Sequence, residues 1–433
     1  MIWCSRGAIP DVSDTRELPM RSTLQNPRRP HAFHVMAKPV GPRCNLACGY
    51  CYYLGKEALY PERHRFRMDE DVLVRFIRDY VAAQSAAGLR DITFSWQGGE
   101  PFLMGLDFFR RVVDLQQRLC PPGQRIGNAI QTNGTLVTPE WAGFLRAHEF
   151  LVGVSLDGPP AIQDAARPDR RGRASSARVL RGLELLQQRG VDVNVLTVVS
   201  RANVDQPLEV YRYLRGLGVE VIQFIPALER RMPGGGLAGP PGRGDRGATL
   251  APFCVSGEDY GRFLCAIFDE WVSADVGRVF VQHFEVMLGI LAGEPASLCV
   301  FAETCGDALA LEHNGDLYAC DHYVYPDHRL GNIRARRIGE LAALPRQRRF
   351  GKEKAGLLPA SCRHCRWRAA CHGGCPKHRI APEPGGGPGK VSHFCAGYRM
   401  FLDHAGDRLA KIVRLVRAGR PAAAIMERAG GTA

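Results

Sequence analysis

The sequence has no long hydrophobic run. No part of the 433-residue chain approaches the roughly 18–20 consecutive apolar residues that a membrane-spanning helix needs. Residues 1–32 also lack the apolar segment of a secretory signal. They are polar and interrupted by four prolines, which predicts a disordered N-terminal extension. These absences indicate a cytoplasmic protein with no membrane partner.

The chain also lacks a concentrated block of basic residues. Its formal net charge of +13 could by itself indicate a nucleic-acid partner. The basic side chains are instead spread along the sequence, largely as arginines on predicted helix faces such as Arg408, Arg414 and Arg417. We therefore expect no nucleic-acid partner.

The cysteines do not add up to a complete set of disulfides. There are 15 of them, and an odd number cannot pair fully. So many cysteines in a chain of this length are more typical of metal sites in a reducing compartment than of a disulfide framework. Cys4, Cys120, Cys254 and Cys265 belong to no array, and the last three are predicted to be core or helix residues.

The first array is Cys44, Cys48 and Cys51, a C-x3-C-x2-C pattern shortly after the apolar run 33–36. Three thiolates are one too few for a tetrahedral zinc site or for all four irons of a cubane cluster. A [4Fe–4S] cluster held by three cysteines would leave one iron free to bind the amino and carboxylate groups of a substrate. The alternative is a zinc knuckle with a distant fourth ligand.

The second half of the chain carries enough cysteines for two four-thiolate sites: Cys299, Cys305, Cys320, Cys362, Cys365, Cys371, Cys375 and Cys395. Two β-like runs around Asn314-Gly315 predict a hairpin that returns Cys320 toward Cys305. Glycines between Cys371 and Cys375 favour iron–sulfur clusters, since their backbone N–H groups can approach cluster sulfurs. A structural zinc ribbon is the alternative.

Short β-like runs alternate with amphipathic helical patterns up to about residue 230. The predicted strands are Phe33–Lys38, Asp91–Gln97, Gly127–Thr132, Leu151–Leu156, Asp192–Val199 and Val219–Pro226. Repeated βα units give a parallel sheet with helices outside. Six of them predict an α/β fold with a partial (β/α)6 barrel rather than a closed ring of eight. Ligands should lie at the carboxyl ends of the strands, where Gly- and Asp-containing turns follow.

Several of these phrases together resemble a known superfamily. The triple-cysteine motif, Gly98-Gly99-Glu100-Pro101 and the run 155–159 resemble the radical S-adenosylmethionine (SAM) enzymes. The C-terminal array resembles the SPASM domain, which carries two auxiliary [4Fe–4S] clusters. Longer phrases at 96–101, 131–136, 311–322 and 373–379 are similar to the anaerobic sulfatase-maturating enzymes. The likeness runs from about Phe33 to His404.

The resemblance implies a radical SAM oxidoreductase that oxidises a Cys or Ser of a client sulfatase to Cα-formylglycine without oxygen. It implies SAM and three [4Fe–4S] clusters as cofactors, one SAM-binding and two auxiliary. The substrate would be an unfolded or nascent sulfatase polypeptide. The partner that supplies electrons would be a reductant such as flavodoxin or ferredoxin.

The resemblance also implies roles for individual residues. The SAM-binding cluster would be held by Cys44, Cys48 and Cys51. SAM itself would contact Tyr50, Gly99, Ser155, Arg167 and Leu228, and the substrate would contact Gln97 and Tyr53. The first auxiliary cluster would be held by Cys299, Cys305, Cys320 and Cys375, and the second by Cys362, Cys365, Cys371 and Cys395. Asp321 would be the general base.

We expect five segments along the chain. These are the disordered extension 1–32, the barrel 33–230, a Gly/Pro-rich linker 231–253, the SPASM-type domain with its C-terminal helix 254–418, and a flexible tail 419–433.

Two other functions fit part of the pattern. A radical SAM–SPASM enzyme that crosslinks or epimerises a ribosomal peptide would share every cluster ligand but need not have a proton acceptor at Asp321. A non-catalytic zinc-ribbon protein that binds nucleic acid would use the same C-terminal cysteines.

Overall fold

The computed structural model describes residues 31–60, 66–242 and 245–427. The strands are β1 (His34–Lys38), β2 (Asp91–Trp96), β3 (Arg125–Thr132), β4 (Leu151–Ser155), β5 (Val193–Val199), β6 (Val221–Pro226), β7 (Arg230–Arg231), β8 (Thr249–Leu250), β9 (Phe280–Val281), β10 (Ala308–Glu312), β11 (Asp316–Tyr318), β12 (Arg329–Asn332), β13 (Arg379–Pro382) and β14 (Lys390–Ser392). The α-helices are α1 (Glu70–Ala86), α2 (Leu106–Leu119), α3 (Pro139–Ala147), α4 (Pro160–Ala166), α5 (Ser176–Gln188), α6 (Pro207–Gly216), α7 (Gly257–Ala274), α8 (Gln282–Leu291), α9 (Ile338–Ala342), α10 (Pro345–Gly356), α11 (Ala360–Arg363), α12 (Arg368–Cys371) and α13 (Cys395–Arg417).

Two of the expected segments fall largely outside these residues. The predicted extension 1–32 is described only from residue 31, and the predicted tail 419–433 only up to residue 427. Within the described ranges, none of the helices has both the length and the hydrophobicity that crossing a membrane would require.

Strands β1 to β6 lie side by side in chain order and are all parallel. Helical structure separates each of these strands from the next, and β6 is followed, after the short strands β7 and β8, by α7. The predicted partial barrel of six βα units is confirmed. Its strands are buried on both faces, as Val35 and Met36 illustrate: they are consecutive in β1 and so point to opposite faces, and both are buried. That burial is why they appear in the sequence as apolar runs rather than as alternating patterns.

Local signals place the helices where the sequence predicts them. Thr138 accepts a hydrogen bond from the backbone N–H of Trp141 at 3.3 Å, and Pro139 occupies the first position of α3. This is the expected N-terminal capping arrangement. Helix α13 ends at Arg417, shortly before Gly419 and Pro421.

Strands β10 to β12 of the second half extend the barrel sheet, whereas β13 and β14 form a separate two-stranded sheet. Strands β10 and β11 form the predicted hairpin around Asn314-Gly315. In addition, β10 pairs with β1 in parallel from His34↔Ala308 to Lys38↔Glu312. This pairing places the ends of β1 and β10 side by side at the mouth of the barrel.

The segment predicted to be a linker folds back on itself. Strands β7 and β8 pair in antiparallel fashion, and Arg230 forms a 2.6 Å ion pair with Asp245. Turns rich in glycine and proline allow this reversal.

Candidate active site and cluster sites

A cavity of about 350 Å³ lies at the carboxyl ends of the barrel strands. It collects almost all of the predicted site residues. Its walls include Cys44, Cys48, Cys51, Tyr50, Gly99, Ser155, Arg167, Leu228, Gln97, Tyr53, Cys299, Cys305, Cys320, Cys375 and Asp321. The predicted SAM site, substrate site and first auxiliary site therefore face one space.

The loop that carries Cys44, Cys48 and Cys51 is held by backbone contacts. The N–H of Ala47 donates to the carbonyl of Pro168 at 2.8 Å, and that of Gly49 donates to Ala166 at 3.0 Å. On the other side, a Cβ at Gly99 would lie 1.8 Å from the carbonyl oxygen of Arg43. Only glycine permits this close approach of two backbones.

These three cysteines are free of disulfides and line one cavity, as the ligands of a metal cluster must. Burial raises the pKa of Cys44 to about 12 and that of Cys48 to about 11. Without a metal the thiols would stay protonated, whereas binding iron or another metal ion favours the thiolate form. All cysteines of the described residues are free of disulfides.

Arg167 and Tyr50, both predicted to contact SAM, are joined through a residue that the sequence did not single out. The guanidinium of Arg167 donates two hydrogen bonds of 2.9 Å to the carboxylate of Asp157. Tyr50 donates its hydroxyl to the same carboxylate. Asp157 has no exposed surface, so the pair is a fully desolvated ion pair that orients Arg167 in the cavity wall.

Asp321 begins a short 3-10 turn directly after Cys320. Its carboxylate forms an ion pair with the ammonium of Lys38, the last residue of β1, and accepts a hydrogen bond from the hydroxyl of Tyr52. Burial acts to raise the pKa of Asp321, but the Lys38 ammonium and the hydrogen bonds from Lys38 and Tyr52 outweigh it and hold the pKa well below its usual range. Asp321 is therefore ionised.

The side chain of Lys38 contacts three residues of the cavity wall, Asp321, Gln97 and Tyr53. Its ammonium also donates to the side-chain oxygen of Gln97 at 3.1 Å and lies 4.6 Å from the centre of the Tyr53 ring. Tyr53 in turn donates its hydroxyl to Glu312 at the end of β10. The strand pairing of β1 with β10 thus aligns the two predicted substrate-side residues with Asp321.

The predicted ligands of the first auxiliary cluster come from three segments. The loop before β10 carries Cys299 and Cys305, Cys320 follows β11, and Cys375 precedes β13. Two histidines flank this group: the Nδ1 atom of His322 lies 3.7 Å from the sulfur of Cys375. Ligand atoms of His322, Cys375 and His378 are all within 4.8 Å of one another. Burial lowers the pKa of His322 to about 3, which keeps it neutral.

The predicted second auxiliary site is a separate cavity of about 80 Å³. Cys362, Cys365, Cys371 and Cys395 line it together. Four thiols around one small space are the donor set of a complete four-thiolate site. Three successive residues with positive φ, His372, Gly373 and Gly374, turn the chain from this cavity to the first auxiliary site at Cys375.

Several site residues escaped the sequence analysis. Lys38, Tyr52, Glu312 and the histidines at 322 and 378 all contact predicted functional residues. One signal was available: Lys38 is a charged residue at the end of an otherwise apolar strand, and it is almost completely buried. Cys254 is buried and Cys265 lies in α7, as predicted. Cys120 is neither a core nor a helix residue: it is half-buried and directly follows α2. Cys4 lies outside the described residues.

Comparison with known families defines the class of protein. A model of the radical SAM superfamily matches residues 39–214. A model of the SPASM iron–sulfur cluster-binding domain matches residues 299–366. Together with the partial barrel and the grouped cysteines, these matches define a radical SAM enzyme with a SPASM domain, which uses SAM and [4Fe–4S] clusters. The zinc-ribbon alternative is wrong.

Relatives narrow the class to one family. The chain is 41% identical to a serine-type anaerobic sulfatase-maturating enzyme of Bacteroides thetaiotaomicron, over 86% of this chain and 89% of that protein. It is 30% identical to a cysteine-type enzyme of Clostridium perfringens, over 88% and 99% of the two chains. A solved structure described as "Native anSMEcpe with bound AdoMet and Cp18Cys peptide" has a TM-score of 0.76 and 30% identity, covering 88% of this chain and 99% of that one. The chain belongs to the anaerobic sulfatase-maturating enzymes.

Proposed function

We propose that this enzyme oxidises a seryl or cysteinyl side chain of a client sulfatase polypeptide to Cα-formylglycine without oxygen. One observation carries the proposal. A single cavity holds the triple-cysteine loop, the ionised carboxylate of Asp321 and, next to it in sequence, Cys320 of the first auxiliary site. A site for hydrogen abstraction, a proton acceptor and an electron acceptor would thus meet around one client side chain.

Each predicted residue has a part in this scheme. Cys44, Cys48 and Cys51 would hold the cluster that supplies the electron for cleaving SAM to the 5′-deoxyadenosyl radical. The cysteines of the two auxiliary sites would hold clusters that supply an electron acceptor. Tyr50, Gly99, Ser155, Arg167 and Leu228 would bind SAM. The barrel 33–230 would form the SAM part of the enzyme, and residues 254–418 the auxiliary part.

Asp321 would take the proton of the client's hydroxyl or thiol once hydrogen has left its Cβ. A hydroxyl or thiol next to a carbon radical is more acidic than in the parent residue, and it becomes far more acidic as the electron leaves for the acceptor. An ionised carboxylate can therefore take the proton in step with electron transfer. The Lys38 ammonium keeps Asp321 ionised before the client binds, and Gln97 and Tyr53 would orient the client beside it.

A serine client is favoured by the comparisons. The relative at 41% identity is serine-type, and the cysteine-type relative is 30% identical. Electrons would come from a reductant such as flavodoxin or ferredoxin, and we expect neither nucleic acid nor a membrane as partner and a cytoplasmic site of action.

The decisive experiment is anaerobic incubation of the enzyme with SAM, a reductant and sulfatase-derived peptides, read by mass spectrometry. Three matched peptides carry Ser, Cys or Ala at the target position. We expect formylglycine from the Ser peptide, and none from the Ala control. Crosslinked or epimerised product without any formylglycine would favour the ribosomal-peptide alternative. A gene position beside a sulfatase rather than beside a short peptide precursor would separate the same two functions independently.

Replacing Arg167 should weaken SAM binding. A charge-assisted contact to the SAM carboxylate is worth roughly 1.5–3 kcal/mol, so Arg167→Ala should raise the Kd for SAM about ten- to a hundredfold. Equilibrium binding of SAM to the anaerobic enzyme measures the change. The control is Arg171→Ala, an exposed arginine on the same loop.

The buried partner of Arg167 requires a second check. Arg167→Ala leaves the Asp157 carboxylate desolvated and unpaired, which typically costs about 3–5 kcal/mol of stability. Arg167→Lys retains a positive charge near Asp157, so its thermal stability should be closer to wild type. If Arg167→Ala folds and binds SAM as tightly as Arg171→Ala does, Arg167 does not contact SAM.

A further inference from the structure

Helix α10 has an unusual buried face. Its sequence is rich in charged residues and has few apolar ones, yet Gln347, Gly351 and Lys354 are buried. Spaced at i, i+4 and i+7, these three residues lie on one side of the helix. Lys352 and Glu353 on the same helix are exposed. A polar helix face is buried only when its partners satisfy it, so the partners of these three residues indicate what the face does.

Lys354 is the costliest of the three to bury, because its side chain can carry a charge and has no exposed surface. Its ammonium donates to the carbonyl oxygens of Cys299 at 2.6 Å and Val300 at 3.1 Å, and to that of Ala302. Among the described residues, no carboxylate forms an ion pair with it. A buried ammonium without an anion is costly, so a negative charge at this place would stabilise it.

The other two residues hold the neighbouring ligand segments. The backbone N–H of Cys305 donates to the carbonyl of Gly351 at 3.2 Å. A Cβ at position 351 would lie 2.1 Å from the carbonyl oxygen of Cys305. The side-chain amide of Gln347 donates to the carbonyls of Gly306 at 2.7 Å and Ala319 at 2.9 Å. These carbonyls adjoin Cys305 and Cys320 in the chain.

One helix face therefore touches the backbone beside three predicted ligands of the same site. Lys354 contacts the backbone at Cys299, Gly351 contacts that of Cys305, and Gln347 contacts carbonyls that adjoin Cys305 and Cys320. These ligands lie between residues 299 and 320, and α10 follows them in the chain. Four thiolates around a [4Fe–4S] core give a net negative charge, which is the charge that the environment of Lys354 lacks.

We propose that α10 holds together the ligand segments of the first auxiliary cluster site, and that the ammonium of Lys354 balances the negative charge of that cluster. The proposal rests on the proposed assignment of Cys299, Cys305 and Cys320 as cluster ligands. A fixed positive charge stabilises the reduced, more negative form of a cluster and so raises its reduction potential. Lys354 is thus a positioning residue that makes this cluster a better acceptor for the electron that leaves the client.

The test compares Lys354→Met with Lys352→Met, the same substitution on the exposed side of the same helix. Both variants are reconstituted anaerobically as full chains. Iron per chain is measured, and the auxiliary clusters are titrated potentiometrically by electron paramagnetic resonance. We expect Lys352→Met to match wild type. Lys354→Met should lose the iron of one cluster or show a more negative midpoint potential for one auxiliary cluster, while SAM is still cleaved.

Two further variants separate the effect of the Lys354 charge from the effect of α10 on the position of the ligand segments. Lys354→Gln can still donate to a backbone carbonyl but carries no charge, so it should retain more iron than the Met variant and still have the lower potential. Gly351→Ala keeps Lys354 but forces the helix away from Cys305, so it should lose iron from one cluster. If Lys354→Met does not fold, these two variants carry the test.

Unchanged iron and unchanged potentials in both Lys354 variants would overturn the role of Lys354 as a counter-charge. Unchanged iron in Gly351→Ala would overturn the role of α10 in holding the ligand segments together. None of these measurements requires a client peptide. A wild-type enzyme that oxidises no sulfatase peptide would contradict the proposed function alone, and the iron and potential measurements would still decide the role of α10.

Discussion

Asp321→Asn is expected to separate SAM cleavage from client oxidation. Radical formation and hydrogen abstraction need no base, so the variant should still produce 5′-deoxyadenosine. Asparagine has nearly the size of aspartate and can accept a hydrogen bond from Lys38, but it cannot take up a proton at neutral pH. Loss of a positioned general base typically slows its step by about 10²–10⁴-fold. Formylglycine should fall by that factor, measured against 5′-deoxyadenosine in the same reaction.

Two controls make this result specific. Asp327→Asn changes an exposed carboxylate six residues farther along and should leave both products unchanged. Asp321→Asn also leaves the buried ammonium of Lys38 without its anion, so a double variant with Lys38→Met removes the unbalanced charge. If Asp321 is the base, the double variant should still cleave SAM but should make very little formylglycine. Recovery of formylglycine in the double variant would show that Asp321 only neutralises Lys38.

Replacing Cys44, Cys48 and Cys51 together by alanine is expected to abolish reductive SAM cleavage. The eight cysteines of the auxiliary sites are untouched, so roughly two thirds of the iron should persist if the three sites each hold a four-iron cluster. The structure supports loss of the SAM-binding cluster without loss of the auxiliary clusters. The triple-cysteine loop is held by backbone contacts to Ala166 and Pro168 of the barrel, whereas α10 and the second cavity hold the auxiliary segments.

The measurements are 5′-deoxyadenosine formed with excess reductant and iron per chain after anaerobic reconstitution. Cys120→Ala, a cysteine outside every array, is the matched control and should behave as wild type. If the triple variant loses nearly all of its iron, the three sites do not assemble independently. If it still cleaves SAM, these cysteines do not hold the cluster that reduces it.

The triple-cysteine loop and the hairpin before Cys320 could be found from sequence because their information is local. The spacing C-x3-C-x2-C is contained in one loop, and the Asn314-Gly315 turn dictates the hairpin that returns Cys320. The six parallel strands follow from runs of apolar residues at regular intervals. Short-range geometry and burial determine each of these features, so a single segment is enough to predict them.

The environment of Asp321 could not be found in this way. Lys38, Tyr52 and Asp321 lie on different segments, and nothing near any one of them in the chain specifies its partners. They meet because β10 pairs with β1, which extends the barrel sheet into the second half of the chain. The same applies to Asp157, whose sequence context is an ordinary Asp-Gly turn although it holds Arg167 in the cavity wall.

The sequence by itself determined the fold class, through the period of its apolar residues, and indicated the family of enzymes through its motifs; the assignment of eleven cysteines to three clusters is what that resemblance implies. The tertiary structure decided the partners of the buried charges. Lys38 pairs with Asp321, Arg167 pairs with Asp157, and Lys354 donates to backbone carbonyls around Cys299. A buried charge is stable only beside a partner that compensates its lost hydration. Such partners come from distant parts of the chain, so only the packed structure shows them.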